Sequence, residues 1–209
     1  MLRVAAALAG ALFLAACGAD KTWDSEERVQ AARYVAGPPP AITLFTTIDD
    51  RTGSGAHSSL LINASERVLF DPAGTWSHPN VPVRNDVHFG MNDRMVYFYV
   101  DYHARDSKTE TSHVIEQKII VTPEIAEMIY QRAKDYGAVP KAQCANSISN
   151  ILRGVPGFEG LSASWFPKRL SASFGALPGV SEKIYTEEND NPGAGHGVIL
   201  VDKSGERAN

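Results

Sequence analysis

The chain has 209 residues, of which 44% are apolar and 21% are charged, and its formal net charge is −4 at pH 7. These values are typical of an ordinary globular domain with a real core, and the lack of a basic excess argues against nucleic acid as a partner. The length suits one domain with a short additional segment.

Residues 1–16 have the pattern of an export signal. Arg3 precedes an unbroken apolar run over residues 4–16, which is too short for a transmembrane helix of about 20 residues. The run ends in Leu14-Ala15-Ala16-Cys17, which resembles the bacterial lipobox. This resemblance implies cleavage before Cys17 and a membrane anchor through lipid on its thiol. The alternative is an ordinary secretory signal that is cleaved at the small residues.

Gly18 follows the cysteine at the position where an inner-membrane retention signal would have aspartate. By resemblance to known sorting rules, this favours the outer membrane over the inner one. We therefore expect a lipid-anchored protein of the cell envelope that faces the periplasm.

The remainder predicts a tether over residues 17–40 and a folded domain over residues 41–209. The tether is polar and ends in Gly37-Pro38-Pro39-Pro40, which favours an extended chain. Alternating and helical patterns then predict an α+β fold, with an antiparallel sheet packed against helices. The predicted strands cover 42–48, 57–62, 67–71, 95–103, 113–121 and 182–185, and the helices 123–136, 142–153 and 168–174. We expect a loop at 72–92 and a mobile tail from about residue 187.

Cys144 is the only thiol that remains if Cys17 carries lipid. It lies in the first turn of the helix predicted for 142–153, where the helix dipole favours a thiolate. It also shares a helical face with Ile148 and Leu152, which directs it toward the sheet. Two interpretations stay open: a small hydrophobic residue that fills the core, or a nucleophile.

A cysteine nucleophile needs an imidazole base, and that base needs a polar group to orient it. His57 opens the second predicted strand and Asp71 closes the third. A connection of three residues over 63–65, or of five over 62–66, pairs Asp71 directly with His57. A connection of two or four residues moves Asp71 to the other face of the sheet. The predicted triad of Cys144, His57 and Asp71 therefore depends on register.

The order of these residues resembles the circularly permuted NlpC-type papain-fold hydrolases, a group similar to the lecithin retinol acyltransferase-like proteins. Three segments carry the resemblance, which covers residues 41–155: Ala56-His57-Ser58-Ser59-Leu60-Leu61-Ile62, Phe70-Asp71 and Gln143-Cys144-Ala145-Asn146-Ser147. The chain departs from the family in having Gln143 before the cysteine and Ile148 where an aromatic residue is often found.

The resemblance implies a cysteine hydrolase with Cys144 as nucleophile, His57 as base and Asp71 as orienting group. Its substrate would be an amide, ester or thioester, in a peptidoglycan peptide or a lipid. A non-catalytic envelope lipoprotein that binds a partner or a wall component is the competing hypothesis. The other histidines lack the spacing of metal ligands, so we predict neither a metal nor a cofactor. They are His78, His88, His103, His113 and His196.

Overall fold

The computed structural model of the protein describes residues 19, 21–104, 111–187 and 198–201. The predicted signal and Cys17 lie outside these residues. The described part of the chain contains five helices and eight strands. In chain order they are α1 Glu26–Ala32, β1 Ala41–Asp49, β2 Ser54–Asn63, β3 Arg67–Phe70, β4 Val83–Arg84, β5 Val87–His88, α2 Asp93–His103, β6 Ser112–Ile120, α3 Pro123–Tyr136, α4 Cys144–Leu152, α5 Pro167–Gly175, β7 Ser181–Glu187 and β8 Val198–Val201.

The strands form one antiparallel sheet in the order β4-β5-β3-β2-β1-β6-β7-β8. Helix α2 contributes to the core on one face of this sheet, and α3, α4 and α5 contribute to the core on the other. This arrangement confirms the predicted α+β class with an antiparallel sheet. Over the described ranges, no helix is long and apolar enough to cross a lipid bilayer.

The central strands β1 and β2 are buried on both faces because helices cover both sides of the sheet. Ile42 and Leu44 of β1 belong to the core beneath α3, α4 and α5. Phe45 belongs to the second core, beneath α2. The nearly continuous burial of β1, which includes Thr43 and Thr46, follows from this double coverage.

Most predicted elements are confirmed, with boundaries that differ by a few residues. Helix α3 begins as its sequence indicates, because the Thr122 hydroxyl accepts from the amide of Ile125 at 3.4 Å and Pro123 occupies the first turn. Helix α4 buries the side chains of Cys144, Ile148 and Leu152, as its apolar face predicts. Strands β1, β2, β3, β6 and β7 and helix α5 also agree with the sequence analysis.

The strand predicted for residues 95–103 is wrong, because this segment forms helix α2. Its run of aromatic and β-branched residues favours a strand, but this preference is weak beside packing and capping. Asn92 caps the helix by accepting from the Met95 amide at 3.1 Å, and Asp93 lies in the first turn. Helical spacing then buries Met95 and Tyr99 against the sheet.

Two further predictions need correction. The expected loop at 72–92 contains a short hairpin of β4 and β5, which extends the sheet beyond β3. The tail expected to be mobile contains β8, which pairs with β7 from Glu187 opposite Val198 to Ile184 opposite Val201. Residues 188–197 and 202–209, where the rest of this prediction falls, lie outside the described residues.

The segment predicted as a tether packs partly on the domain. Ser25 caps α1 by accepting from the Arg28 amide, and Val29 on this helix enters the main core with 5% of its surface exposed. The Asp24 amide donates to Val83 of β4 at 2.9 Å. Val29, the one large apolar residue of this helix, is the sequence signal for this packing.

If α1 is part of the cooperative fold, Val29→Ala should lower the free energy of unfolding by about 2 kcal/mol, since it removes two buried carbon atoms and leaves a cavity. The matched control is Val35→Ala, because Val35 lies in the same segment but is 54% exposed. Urea unfolding followed by circular dichroism measures both variants. Equal stabilities of the two variants would show that α1 docks too weakly to contribute.

Candidate functional site

His57 lies at a β-bulge in β2. Thr47 of β1 is opposite His57, but the next residue, Ile48, is opposite Gly55, so Ala56 is an extra residue in β2. Bulges bend a strand and redirect the side chains beside them, and they are frequent at functional sites. The sequence analysis expected His57 to open the strand, whereas the strand begins at Ser54. Alternation along β2 puts His57 on the same face as Leu61, the face that α2 covers.

The register of β2 and β3 differs by two residues from the predicted pairing. Asn63 pairs with Arg67 and Leu60 with Phe70, so the continuation of this register sets Asp71 opposite Ser59 rather than His57. The shift is an even number, so Asp71 stays on the face that the sequence predicts. It becomes a diagonal neighbour of His57, which is still within reach of a long side chain.

The side chains of His57 and Asp71 meet directly. The Nε2 atom of His57 lies 2.6 Å from Oδ1 of Asp71, whose side chain is fully buried. The other carboxylate oxygen, Oδ2, accepts no hydrogen bond from the described part of the chain. It lies 3.9 Å from Nε2 of His88. Asp71 is therefore a buried carboxylate that faces histidine rings.

This burial and pairing shift the titration of both groups. Burial alone would raise the pKa of Asp71, but the charge and hydrogen bond of His57, with His88 and His103, hold it well below its usual range. Burial alone would lower the pKa of His57, but Asp71, and then Cys144, raise it to about 10. The pair is thus stable as an imidazolium beside a carboxylate. Burial lowers the pKa of His88 despite the charge of Asp71.

Cys144 reaches this pair from α4. Ala142, two residues earlier, has a φ of 64°, a left-handed conformation that is uncommon for residues other than glycine. Helix α4 then begins at Cys144. Strand β3 ends opposite Leu60, and beyond that point the Cys144 thiol interacts with His57 and with the Ser58 backbone of β2. The thiol therefore lies at the edge of β2, next to His57.

The thiol is 7% exposed, yet its environment favours the charged form. Burial alone would raise the pKa of Cys144. The hydrogen bond and charge of His57, together with the amides of Ser58 and Ala145, lower it below its ordinary value. The structure thus brings together the three residues that the sequence analysis selected.

Helix α2 supplies two site residues that the sequence analysis missed. The Tyr99 hydroxyl lies 2.8 Å from Oδ1 of Asp71 and 2.8 Å from the Ser59 hydroxyl. The His103 ring stacks on the His57 ring, with 5.7 Å between centroids and 13° between planes. Tyr99 and His103 are four positions apart, so they lie on the same face of the helix. The same spacing in a strand would not place them together at the site.

A cleft of about 470 Å³ opens beside His57. Its lining includes the polar residues His103, Thr47, Thr75 and Ser112. His57 lines this cleft and also contacts Cys144. A polar molecule in the cleft would therefore lie beside the ring that interacts with the thiol.

The fold and the site together define an α+β protein with a thiol, an imidazole and a buried carboxylate in series at a sheet edge. Within the described residues, no group of three or more histidine, cysteine or acidic side chains is arranged to hold a metal ion. Comparison with known proteins found no match, whether to a family model, a curated protein or a solved structure.

Gly74 packs directly against the carboxylate of Asp71. A Cβ atom at this position would lie 1.9 Å from Oδ2 and 2.7 Å from Oδ1. We expect Gly74→Ala to displace Asp71 and to slow alkylation of Cys144 at neutral pH by about tenfold or more, the effect of about one pKa unit on the thiolate fraction. The matched control is Gly160→Ala, whose Cβ would have its nearest neighbour, the Leu177 side chain, at 3.4 Å. If Gly74→Ala is as reactive as Gly160→Ala, the placement of Asp71 does not control the thiol.

The depressed pKa of Asp71 also predicts how stability depends on pH. A carboxylate with a lower pKa in the folded state contributes stability that is present above its unfolded value, about 3.9, and is lost as the pH falls through the folded value. The urea midpoint of the native chain should therefore decrease as the pH is lowered below about 5. The urea midpoint of Asp71→Asn should decrease less steeply over the same range. Asp93→Asn, at an 88% exposed side chain, should keep the native slope. Parallel slopes for all three chains would contradict the expected shift.

Proposed function

We propose that the protein is a cysteine hydrolase of the permuted papain type, in which Cys144 is the nucleophile, His57 the acid and base, and Asp71 the orienting group. The observation that carries the proposal is the direct pairing of His57 with the buried Asp71 carboxylate, beside a Cys144 thiol that interacts with the same ring. The chain order of these residues, His57, Asp71 and Cys144, is a cyclic rotation of the order in unpermuted papain-like enzymes, where the cysteine comes first, and it resembles that of the circularly permuted NlpC-type hydrolases.

The reaction would be acyl transfer through a thioester. The Cys144 thiolate attacks the carbonyl carbon of the substrate, and the negative charge passes to the carbonyl oxygen. The Cys144 backbone amide, at the first position of α4, would donate to that oxygen. The His57 imidazolium then gives its proton to the leaving group as the bond to the carbonyl carbon breaks.

The second half of the reaction regenerates the thiol site. Neutral His57 removes a proton from water, which attacks the thioester carbonyl. The carbon–sulfur bond breaks, the acid product leaves, and the thiolate and imidazolium are restored. Asp71 keeps its proton-free form throughout, because its low pKa favours the carboxylate. Its function would be to hold the His57 ring and to stabilise its charge.

The proposed location is the cell envelope, through lipid on Cys17, and it rests on the lipobox-like Leu14-Ala15-Ala16-Cys17. At that location the amide, ester or thioester substrate would be a peptidoglycan peptide or a lipid. The polar lining of the cleft beside His57 suits the peptide better than an acyl chain, since apolar ligands prefer apolar walls.

A second candidate is a non-catalytic envelope lipoprotein that binds a partner or a wall component. The observation that favours it is the 7% exposure of Cys144, which is typical of a cysteine that fills core space. The two candidates differ in whether the thiol reacts in the native protein and whether His57 controls that reaction.

Iodoacetamide alkylation of the native chain tests this difference. A thiolate paired with His57 should be alkylated near pH 7, and His57→Ala should slow the reaction about tenfold or more, because the thiol returns toward its ordinary pKa. Mass spectrometry of peptides assigns the label to Cys144 and separates it from Cys17.

The matched control is His113→Ala. His113 also has a carboxylate partner, since its Nδ1 lies 2.5 Å from Asp50, but it belongs to β6 and not to the thiol site. This variant should alkylate at the native rate. Absence of native labelling at Cys144, or equal rates for the two histidine variants, would favour the binding protein.

A further inference from the structure

The Asp71 carboxylate contacts a second deeply buried polar side chain in addition to the proposed base, and this is Tyr99. It is 1% exposed, and its hydroxyl lies 2.8 Å from Oδ1 of Asp71. Oδ1 is also the oxygen that contacts His57. Because an ionised carboxylate only accepts, the single Tyr99 proton goes to Asp71, and the Ser59 hydroxyl lies 2.8 Å from the same Tyr99 oxygen.

Tyr99 is well suited to remain a donor. Burial, followed by the charge of Asp71, raises the pKa of its phenol well above the ordinary value. Its hydroxyl therefore stays protonated over the range in which a thiol site works. A phenol that donates to Oδ1 withdraws negative charge from the same atom that attracts the His57 ring.

The position of Asp71 does not require this hydroxyl. Gly74 lies so close that a Cβ there would meet both carboxylate oxygens within 2.7 Å. The Asp71 amide donates to the carbonyl of Asp86 at 2.8 Å, and the Asp71 carbonyl accepts from Gly74 at 3.0 Å. The backbone and Gly74 thus confine the carboxylate, and the main effect of Tyr99 is on its charge.

Other titratable groups face Asp71 from each element around it. His57 comes from β2, His88 from β5 and His103 from α2, and all three lower the pKa of Asp71. Cys144 from α4 lies beyond His57. Burial lowers the pKa of His88, and the Nδ1 of His103 lies 2.9 Å from the carbonyl oxygen of Tyr99. Tyr99 is the neutral donor in this group that shares an oxygen with His57.

We propose that Tyr99 is a positioning residue of the thiol site, which acts through Asp71: by sharing Oδ1 with His57, it limits the charge presented to the ring and sets the pH at which the Cys144 thiolate forms. This inference rests on the proposed function. Without the hydroxyl, Asp71 attracts the imidazolium more strongly, and the thiolate forms at lower pH. The phenol would thereby keep the thiolate from becoming too weak a nucleophile, since nucleophilicity falls with pKa.

The test is the pH dependence of iodoacetamide alkylation at Cys144 in the full chain. Tyr99→Phe, which keeps the ring and its packing, should lower the midpoint by about 0.5 to 1 pH unit, a fraction of the strength of a hydrogen bond to a charged group. Asp71→Asn should raise the midpoint, since the imidazolium loses its partner. In the Asp71→Asn background, Tyr99→Phe should leave the alkylation midpoint unchanged, because Tyr99 is proposed to act only through the Asp71 carboxylate.

Tyr130→Phe is the matched control, since the Tyr130 hydroxyl also donates to a carboxylate, that of Glu66, away from the thiol site. It should leave the midpoint unchanged. Ser59→Ala provides a second variant that keeps Tyr99 itself. Ser59→Ala removes the other hydrogen-bond partner of the Tyr99 hydroxyl, so the midpoint should shift, and by less than in Tyr99→Phe.

An unchanged or higher midpoint in Tyr99→Phe, or the same shift with and without Asp71, would overturn the inference. If Tyr99→Phe is unfolded by circular dichroism, the Ser59→Ala midpoint decides. His57→Ala distinguishes failure of the proposed function from failure of the inference about Tyr99. If His57→Ala alkylates as fast as the native chain, the proposed function is wrong. A slowed His57→Ala with an unshifted Tyr99→Phe removes only the inference about Tyr99.

Discussion

The contact between Nε2 of His57 and Oδ1 of Asp71 is the interaction on which the site depends. A buried carboxylate is costly unless charged or hydrogen-bonded partners compensate it, and the fold places such partners around Asp71 from three elements. His57 comes from β2, His88 from β5 and Tyr99 from α2. The low pKa of the carboxylate and the high pKa of the ring express the same attraction, and that ring is the largest of the influences that lower the pKa of the Cys144 thiol.

Much of this site follows from the sequence because sheet geometry repeats every two residues. The predicted pairing of His57 with Asp71 was wrong by two positions, since the connection after Asn63 places Asp71 opposite Ser59. An even shift keeps the face, so the two side chains still meet. The helical face that carries Cys144 was predictable in the same way, from apolar spacing alone. Local periodicity is therefore enough to select residues that share a site, but the contacts within it need the register.

What the sequence could not supply lies on α2. The run from Met95 to Val100 favours a strand by residue type, and in a strand Tyr99 and His103 would have had no defined relation to Asp71. The cap at Asn92 indicated a helix, but this single residue was outweighed by the six strand-favouring residues over 95–100. The bulge at Ala56 was equally hidden, because a bulge depends on how two strands pair. Both features arise from tertiary packing, which a single sequence does not encode locally.

The burial of Cys144 has two physical consequences that oppose each other. Desolvation alone raises the pKa of a thiol, which would make a 7% exposed cysteine an inert core residue. Here the ring of His57 and two backbone amides outweigh desolvation. The low dielectric that penalises a lone charge also strengthens each of these interactions. A buried thiol beside aliphatic side chains and a buried thiol beside an imidazolium therefore differ in kind, although their exposure is the same. The polar groups around the sulfur, and not its accessibility in the resting protein, are what favour the hydrolase over the binding protein.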